Sequence, residues 1–224
     1  MKKQLLRQAD GSPWIAIAGE AHNSSASDAV YMSGIWEKAE ELGLNTLLLP
    51  VSWELIEPEE NRFEFTLVDE LIMQARNAGM HIIFLWFGTW KNAQSTYAPE
   101  WVKKDLQRFP RAELEQGKRK IILKNFYNMP YTTLSYLGEE TKHADAKAFA
   151  RLMRHLRVID GKERTVLAVQ VENETGVQGS AREHSTLAEQ LFAKTPPQGL
   201  VDYLENHTDE MDESLKNVWQ NQNA

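Results

Sequence analysis

The segment best suited to acid–base chemistry is Glu172-Asn173-Glu174, which directly follows an apolar run at 166–171. If that run is a regular strand, alternation points Glu172 and Glu174 to the same side, and a bulge could turn Asn173 inward as well. Hydrolysis of a glycosidic bond needs a carboxyl group that protonates the leaving oxygen and a carboxylate across the scissile bond. The Asn-Glu pair therefore predicts an acid beside an amide that binds a sugar hydroxyl.

Three more polar and aromatic segments follow apolar runs in the same way, at 19–24, 52–58 and 88–92. The carboxyl ends of parallel strands face the same side of a barrel. Four separate segments are therefore expected to converge on one mouth, which predicts a single site there.

Apolar runs and amphipathic stretches alternate along the chain and must position these segments. The spacing predicts strands at 14–19, 45–50, 81–88 and 166–171, and helices at 28–42, 66–78, 145–158 and 199–219. Ser27 is the expected cap of the first helix, with a favourable charge on Asp28. Residues 89–140 form a long insertion after the third strand, where a barrel enzyme builds its active-site rim.

Strands that are apolar on both faces and separated by helices indicate a parallel sheet covered on both sides. The predicted fold class is α/β, of the (β/α)8 TIM-barrel type. Only about the first four βα units are accounted for, whereas a barrel has eight and typically about 250 residues. We therefore interpret residues 1–224 as the N-terminal part of a single catalytic barrel domain.

Composition excludes several classes of function. The formal net charge is −7, from 25 basic and 32 acidic residues, so we expect no nucleic-acid partner. Cysteine is absent and the six histidines show no metal-ligand spacing, so we expect no metal and no cofactor. The sequence contains neither a signal peptide nor an apolar run of roughly 18 residues, which predicts no membrane partner and a cytoplasmic location, with export left open.

The four segments resemble those of glycoside hydrolase families 35 and 42, the β-galactosidases. Residues 171–176, Val-Glu-Asn-Glu-Thr-Gly, resemble the acid/base segment of these families, and Gly-Glu-Ala-His at 19–22 resembles the end of their first strand. Residues 51–65, with an aromatic, a Glu-Pro pair and Phe-Glu-Phe, resemble their second-strand signature. Residues 85–92 resemble the third-strand loop of a related bacterial subgroup.

The resemblance implies a retaining glycoside hydrolase that acts on terminal β-galactosides or related β-glycosides. Glu174 would be its general acid/base and Asn173 the sugar-binding neighbour. The other residues that the resemblance implies at the substrate are His22, Trp53, Trp86, Trp90 and Asn92. A retaining enzyme needs a second Glu as nucleophile, with the two carboxyl groups about 5–5.5 Å apart. That nucleophile is expected downstream of this chain, because the residues after Glu174 indicate only loop and helix.

Other interpretations remain open beside these. Glu172 is more typical of a structural ion pair than of a second catalyst, Glu57-Pro58 indicates a turn, and Lys118-Arg119-Lys120 indicates a solvated face. His22 fits a structural histidine equally well. The alternative function is a truncated, non-catalytic half-barrel that at most binds sugar. Its first and fourth strands would be open edges, and a homo-oligomer would cover them. A small α/β protein unrelated to barrels would have to match four motifs by chance.

Overall fold

The protein is described by a computed structural model that covers residues 6–116, 119–121, 133–176 and 180–222. The chain divides into two compact units, Met1–His184 and Ser185–Ala224. In the described parts of the chain, no helix is long and apolar enough to cross a membrane.

The first unit contains every strand of the described chain. In chain order they are β1 (Ala18–Glu20), β2 (Thr46–Ser52), β3 (His81–Phe87), β4 (Leu114–Gln116), β5 (Arg119–Ile121) and β6 (Val166–Val171). Four of them form a parallel sheet in the order β1-β2-β3-β6, while β4 and β5 form a separate antiparallel pair. The predicted parallel α/β architecture is therefore confirmed, and the ends of β2, β3 and β6 lie at one edge of the sheet.

Helices alternate with these strands. They are α1 (Ala29–Glu41), α2 (Trp53–Ile56), α3 (Thr66–Asn77), α4 (Glu100–Lys104), α5 (Glu139–Ile159), α6 (Thr186–Phe192), α7 (Gln198–Asn206) and α8 (Glu213–Gln222). The first predicted helix is confirmed, but its cap is Asp28 rather than Ser27. The Asp28 carboxylate accepts hydrogen bonds from the amides of Val30 and Tyr31. Satisfying two amides that have no partner within the helix is the physical task of such a cap.

The core lies between the sheet and the apolar faces of three helices. Alternate residues of β2 and β3 point into it, and α1, α3 and α5 supply residues at helical spacing. Its buried members are Met32, Trp36, Leu47, Leu49, Val51, Val68, Leu71, Ile72, Ile82, Phe84, Trp86, Ala148, Leu152 and Leu156. This core fixes α5 against β3, and α5 carries Asp145, one of the acids near the strand ends.

A buried acid fixes the start of β6. The Asp160 carboxylate follows α5 and accepts hydrogen bonds from the amides of Thr165 and Val166 at 3.0 and 2.8 Å. Arg76 of α3 pairs with the same carboxylate at 2.7 Å. A buried charge is stable only when paired and hydrogen-bonded. The arrangement therefore sets where β6 enters the sheet and where it ends.

The predicted first strand at 14–19 is wrong in its extent. Only Ala18–Glu20 pairs with β2, and Ile15 and Ile17 are 81% and 56% exposed. The Asn45 side chain replaces the missing ladder, because it accepts the Ile17 amide N–H and donates to the Ile15 carbonyl. An amide side chain that matches a backbone donor and acceptor can end strand pairing early.

The insertion at 89–140 contains α4 and the β4–β5 pair. It packs through a small set of buried apolar residues: Ala98, Val102, Phe109, Leu114 and Leu134. Of the predicted solvated patch, Lys118 lies outside the described residues. Only the antiparallel backbone pairing is described for Arg119 and Lys120.

The second unit, Ser185–Ala224, consists of three short helices. The predicted single helix at 199–219 is wrong, because a turn at Thr208–Glu210 separates α7 from α8. Asp212 begins the second piece by accepting the amide N–H of Ser214 at 2.9 Å. Capping acids of this kind favour a helix start over helix continuation.

Candidate active site

The four predicted segments follow strand ends, and three of those strands are paired in register. Ser52 of β2 lies opposite Phe87 of β3, and Trp86 lies opposite Val171 of β6. The residues after Phe87 and Val171 therefore meet at the carboxyl edge of the sheet. This is the edge at which α/β proteins build their sites.

Two loops are joined residue by residue at this edge. The backbone amide of Trp90 donates to the Glu172 carboxyl group at 2.8 Å. The Lys91 ammonium donates to Asn173 Oδ1 at 2.8 Å, and the Ala93 amide donates to the Glu174 carbonyl at 3.0 Å. We call residues 88–93 the β3 loop and residues 172–176 the β6 loop. Their mutual bonds fix both loops in one arrangement.

Both loops contain non-glycine residues in the left-handed backbone region. The φ angles are 53° at Asn92, 55° at Ala93, 62° at Glu172 and 52° at Glu174. Such conformations cost about 1 kcal/mol or more each and persist only where surrounding contacts over-determine them. They also end strand alternation after Val171, so the expected common orientation of Glu172 and Glu174 is wrong.

Glu174 is the open carboxyl group of the β6 loop. Its side chain is 61% exposed, and one carboxylate oxygen lies 3.6 Å from the Lys91 ammonium. Lys91 itself is only 10% exposed and lies over the Phe87 ring at 5.0 Å. A buried cation thus holds the amide of Asn173 and faces the carboxyl group of Glu174.

Glu172 is partly buried and faces a second, buried acid, Asp145 of α5. Burial first, and then the hydrogen bond and charge of Asp145, raise the pKa of Glu172 to about 10. At neutral pH the Glu172 carboxyl group is therefore protonated. Asp145 accepts hydrogen bonds from the Trp86 indole at 2.8 Å and from the Thr89 amide at 2.7 Å. The pair sits beneath the β3 loop.

Gly88 makes this arrangement possible. A Cβ atom at this position would lie within 2.6 Å of Trp86 Nε1, Glu172 Oε1 and Asp145 Oδ1. No real Cβ tolerates such contacts, so both carboxyl groups occupy space that only glycine leaves free.

Two of the three predicted aromatic wall residues have no free face. Trp53 and Trp86 are 0% exposed. Their indole N–H groups donate to the carboxyl groups of Glu57 and Asp145. For Trp86 this is the packed position under the barrel rim, which the sequence favours as much as sugar contact, whereas for Trp53 the sequence favours the pocket. The roles of both rings at a substrate stay predictions. Trp90 is 6% exposed.

The remaining predicted residues lie on the surface of the strand ends. His22 and Asn92 are exposed. The structure brings Asn173 and Glu174 together with Lys91, whereas no described contact joins His22 to them. The roles of these residues at a substrate stay predictions.

Glu57 proves to be more than part of a turn. It is fully buried, and its carboxylate accepts hydrogen bonds from the Trp53 indole at 3.0 Å and the Asn61 amide at 2.8 Å. The Lys147 ammonium of α5 lies 3.3 Å from the same carboxylate. Glu57 therefore organises the β2 end and links it to α5.

Three further residues shape the site: Gly88 and Lys91 lie in the predicted segment 88–92 but had no predicted role, and Asp145 was not singled out from the sequence. Asp145 had a readable signal, because it shares the buried stripe of α5 with Ala148, Leu152 and Leu156. An acid on the apolar face of a helix is rarely buried without a partner. The sequence does not reveal which partner it meets.

A cavity of about 390 Å³ opens beside the acid pair. Its lining includes Trp86, Trp90, Tyr136, Thr141, Phe149 and Glu172. A larger depression of about 510 Å³ runs between α5 and β6, and its only carboxylate, Asp160, is already bonded to Arg76. Within the described ranges, no group of three or more His, Asp or Glu residues could hold a metal ion.

The parallel β/α sheet is of the TIM-barrel type. Two solved structures share the fold. The exo-β-1,4-mannosidase from Opitutaceae bacterium strain TAV5 has a TM-score of 0.52 and 16% identity, over 75% of this chain and 26% of that one. A catalytic mutant of a GH42 β-galactosidase from G. stearothermophilus has a TM-score of 0.54 and 18% identity, over 79% of this chain and 23% of that one.

The chain belongs to glycoside hydrolase family 42, whose description is β-galactosidase, because the family model matches residues 28–223. This confirms the resemblance to family 42. No curated protein matches the chain. The chain spans about a quarter of the length of the two solved proteins, 26% and 23%.

Proposed function

We propose that this chain carries the acid/base half of a retaining glycoside hydrolase that acts on terminal β-galactosides or related β-glycosides. Glu174 is the general acid/base. The observation that carries this proposal is that Glu174 lies in the loop after β6 with an exposed carboxyl group, beside the fixed amide of Asn173 and the fixed cation of Lys91. Membership of family 42 supports the reaction class. The exposed carboxyl group of Glu174 can reach a glycosidic oxygen, whereas that of Glu172 accepts the backbone amides of Thr89 and Trp90.

In the proposed reaction the protonated Glu174 carboxyl group donates its proton to the glycosidic oxygen while the bond from that oxygen to the anomeric carbon breaks. A carboxylate nucleophile forms the new bond to that carbon from the opposite face. Glu174, now a carboxylate, then takes a proton from water, whose oxygen displaces the nucleophile. Asn173 holds a sugar hydroxyl, and Trp90, His22 and Asn92 contribute to the walls of the site.

The nucleophile of this proposal lies outside the described residues. Glu57, Asp145 and Glu172 are the acids near the strand ends that are enclosed by protein donors. A carboxylate that already accepts several hydrogen bonds is a poor nucleophile. Of the other acids of this edge, Glu54 is held by Lys103 at 3.3 Å, and Glu20 is exposed at the end of β1, with no described contact to Glu174.

Leaving-group dependence tests the role of Glu174. We would compare phenyl and 2,4-dinitrophenyl β-galactosides with the purified chain, its Glu174→Gln variant and the control Glu100→Gln, an exposed acid of α4. The Gln variant should lose about 100-fold or more with the phenyl substrate and far less with the dinitrophenyl one, because a good leaving group needs little protonation. Equal loss on both substrates contradicts the acid role.

Azide identifies where the nucleophile resides. If the chain reaches a nucleophile, azide added to Glu174→Ala attacks the glycosyl-enzyme, and two inversions give the β-galactosyl azide. If it reaches none, azide attacks the substrate directly, and one inversion gives the α-galactosyl azide. Product configuration by NMR separates the two. No turnover under either condition, from a folded sample, contradicts catalysis by this chain.

The alternative is a non-catalytic half-barrel that binds sugar. The observation that favours it is the open edge of the sheet: β6 pairs with β3 only, among the described strands, and Val171 is 62% exposed. In that case a second copy of the chain covers the edges of β1 and β6. Calorimetry with galactose and light scattering in solution test it, and a monomer that binds no sugar contradicts it.

A further inference from the structure

The proposed reaction does not use two acids that contact the β3 loop, the buried Asp145 and the partly buried Glu172. Asp145 comes from the buried stripe of α5, and Glu172 comes directly after β6. Their carboxyl groups face the same small space beside Gly88. Placing two acids side by side away from water lowers the stability of the folded protein, so the pair calls for a functional explanation.

The two carboxyl groups share one small space. An ideal Cβ at Gly88 would be 2.5 Å from Glu172 Oε1 and 2.6 Å from Asp145 Oδ1, so both oxygens border the same point. Burial first, and then the neighbouring Asp145, disfavour the charged form of Glu172 and raise its pKa. A proton retained by the pair replaces the repulsion of two carboxylates by attraction.

The pair holds the β3 loop from below. Asp145 accepts from the Trp86 indole and from the amide and hydroxyl of Thr89. Glu172 accepts from the amides of Thr89 and Trp90, at 3.3 and 2.8 Å. Two successive backbone amides thus point into the pair.

The β3 loop in turn holds Glu174. After the two amides bound by the pair come Lys91, which bonds Asn173, and Ala93, whose amide donates to the Glu174 carbonyl. Glu174 has a left-handed φ of 52°, so its position depends on these contacts and not on local preference.

We propose that Asp145 and Glu172 are positioning residues for Glu174, acting through one shared proton that lets both carboxyl groups bind the β3 loop. The inference rests on the proposed role of Glu174 for its catalytic meaning. The positioning itself can be measured without any turnover.

Loss of the shared proton should release the loop. The charged and titratable groups around Glu172 are Asp145 and Lys142 from α5, Tyr136 across the cavity, and Lys91 and Glu174 on the loop side. The Lys142 ammonium forms an ion pair with Glu139, so it does not balance the charge of Asp145 and Glu172. Because the pKa of Glu172 is raised to about 10, the release is expected in that alkaline range.

Carbon-detected NMR of the full chain tests this proposal. We would follow the side-chain carboxyl carbons of Asp145 and Glu172 and the carbonyl carbon of Glu174 from pH 6 to pH 11. All three should show one common transition near pH 10. The side-chain carbonyl of Gln74, which accepts the Trp36 indole far from the pair, is the internal reference and should show none.

Glu172→Gln is the matched variant, because its amide can donate to Asp145 and its carbonyl can accept the Trp90 amide. In this variant the Glu174 carbonyl should stay at its neutral-pH position throughout, with no transition. A transition that persists in Glu172→Gln overturns the proposal. So does a wild-type transition of the two carboxyl groups that leaves the Glu174 carbonyl unmoved, or no transition at all.

A kinetic readout then separates positioning from mere stability. Glu172→Ala should lower kcat for phenyl β-galactoside at least 10-fold more than for the dinitrophenyl substrate, at little change in KM, and Glu172→Gln should restore it. Equal loss on both substrates contradicts positioning of the acid. If the wild-type chain shows no turnover, the proposed function fails while the NMR result still decides the positioning.

Discussion

Glu172 and Glu174 stand two positions apart in one loop and have opposite surroundings. Glu172 is partly buried beside Asp145, and this position raises the pKa of its carboxyl group to about 10. Glu174 is 61% exposed and meets a single cation at 3.6 Å. Glu172 accepts hydrogen bonds from two backbone amides, whereas the exposed Glu174 has room for a ligand.

The contrast teaches that an acid-rich motif can divide its work. A catalytic group must stay open to substrate, and an open loop position is poorly fixed on its own. A saturated neighbour can supply the missing rigidity, as second-layer hydrogen bonds do for other functional side chains. Four variants can break or sharpen this contrast.

Gly88→Ala should have the largest effect on stability, because it places a methyl group in the space that Glu172 and Asp145 occupy. The new methyl group would lie within 2.6 Å of Trp86 Nε1 and of both carboxyl groups. Overpacking and the loss of buried hydrogen bonds should lower the free energy of unfolding by about 3 to 5 kcal/mol. Chemical denaturation measures this change.

Gly34→Ala is the control for that substitution. Gly34 lies inside α1 with no atom within 4 Å of the added Cβ, and it has no positive φ. Alanine should therefore raise the free energy of unfolding by about 0.5 to 1 kcal/mol. Similar losses for both variants would mean that the space beside Gly88 is not as tight as described.

The pH dependence of stability should separate wild type from Glu172→Gln. The folded chain holds the Glu172 proton between the ordinary value of 4.5 and about 10, where the unfolded chain has lost it. The folded state binds more protons in this window, so the free energy of unfolding falls as pH rises, by at most about 1.4 kcal/mol per pH unit.

Between pH 6 and pH 8, wild type should thus lose about 2 to 3 kcal/mol relative to Glu172→Gln, which carries no titrating group there. Above about pH 10 the difference should level off, because Glu172 is then ionised in both states. Denaturation at several pH values measures it. A constant difference across this range would show that the Glu172 carboxyl group is already charged in the folded protein.

Lys91→Met tests the link between the two sides. The methionine keeps the packing over Phe87 but removes the hydrogen bond to Asn173 and the pairing with Glu174. We expect a loss of about 1 kcal/mol in the free energy of unfolding, as for one hydrogen bond. Lys142→Met is the control, because Lys142 is 60% exposed and pairs only with a surface acid, and it should cause no measurable change.

Part of this fold could be read from the sequence. The strands β2, β3 and β6 are continuous apolar runs, and Gly43 and Gly79 with φ angles of 70° and 64° end the preceding helices. Such signals are local, so they transfer directly to structure. The prediction of a strand at 14–19 was wrong because the Asn45 side chain binds the backbone before β1. The prediction of a single helix at 199–219 was wrong because Asp212 starts a new helix, α8.

The site was readable only as a motif. The motif singles out Asn173 and Glu174, whereas the surroundings of Glu172 depend on Asp145, 27 residues earlier in the chain, and on the missing side chain of Gly88. Strand alternation misled because the backbone turns left-handed after Val171. Aromatic residues such as Trp53 indicate a densely packed strand end, but the sequence does not show which of the rings are exposed.

Glu174→Gln should have the smallest effect on stability, and this completes the contrast. Its carboxyl group is 61% exposed and its cation contact is long, at 3.6 Å, so solvent already screens most of the interaction. The backbone bond from Ala93 is unaffected by the substitution. We expect a change within about 0.5 kcal/mol, measured beside Glu172→Ala, which removes the acceptor of the Trp90 amide. Were Glu174→Gln to destabilise the chain as strongly as Glu172→Ala, both acids would serve the fold, and the division between a holding and a reacting carboxyl group would be lost.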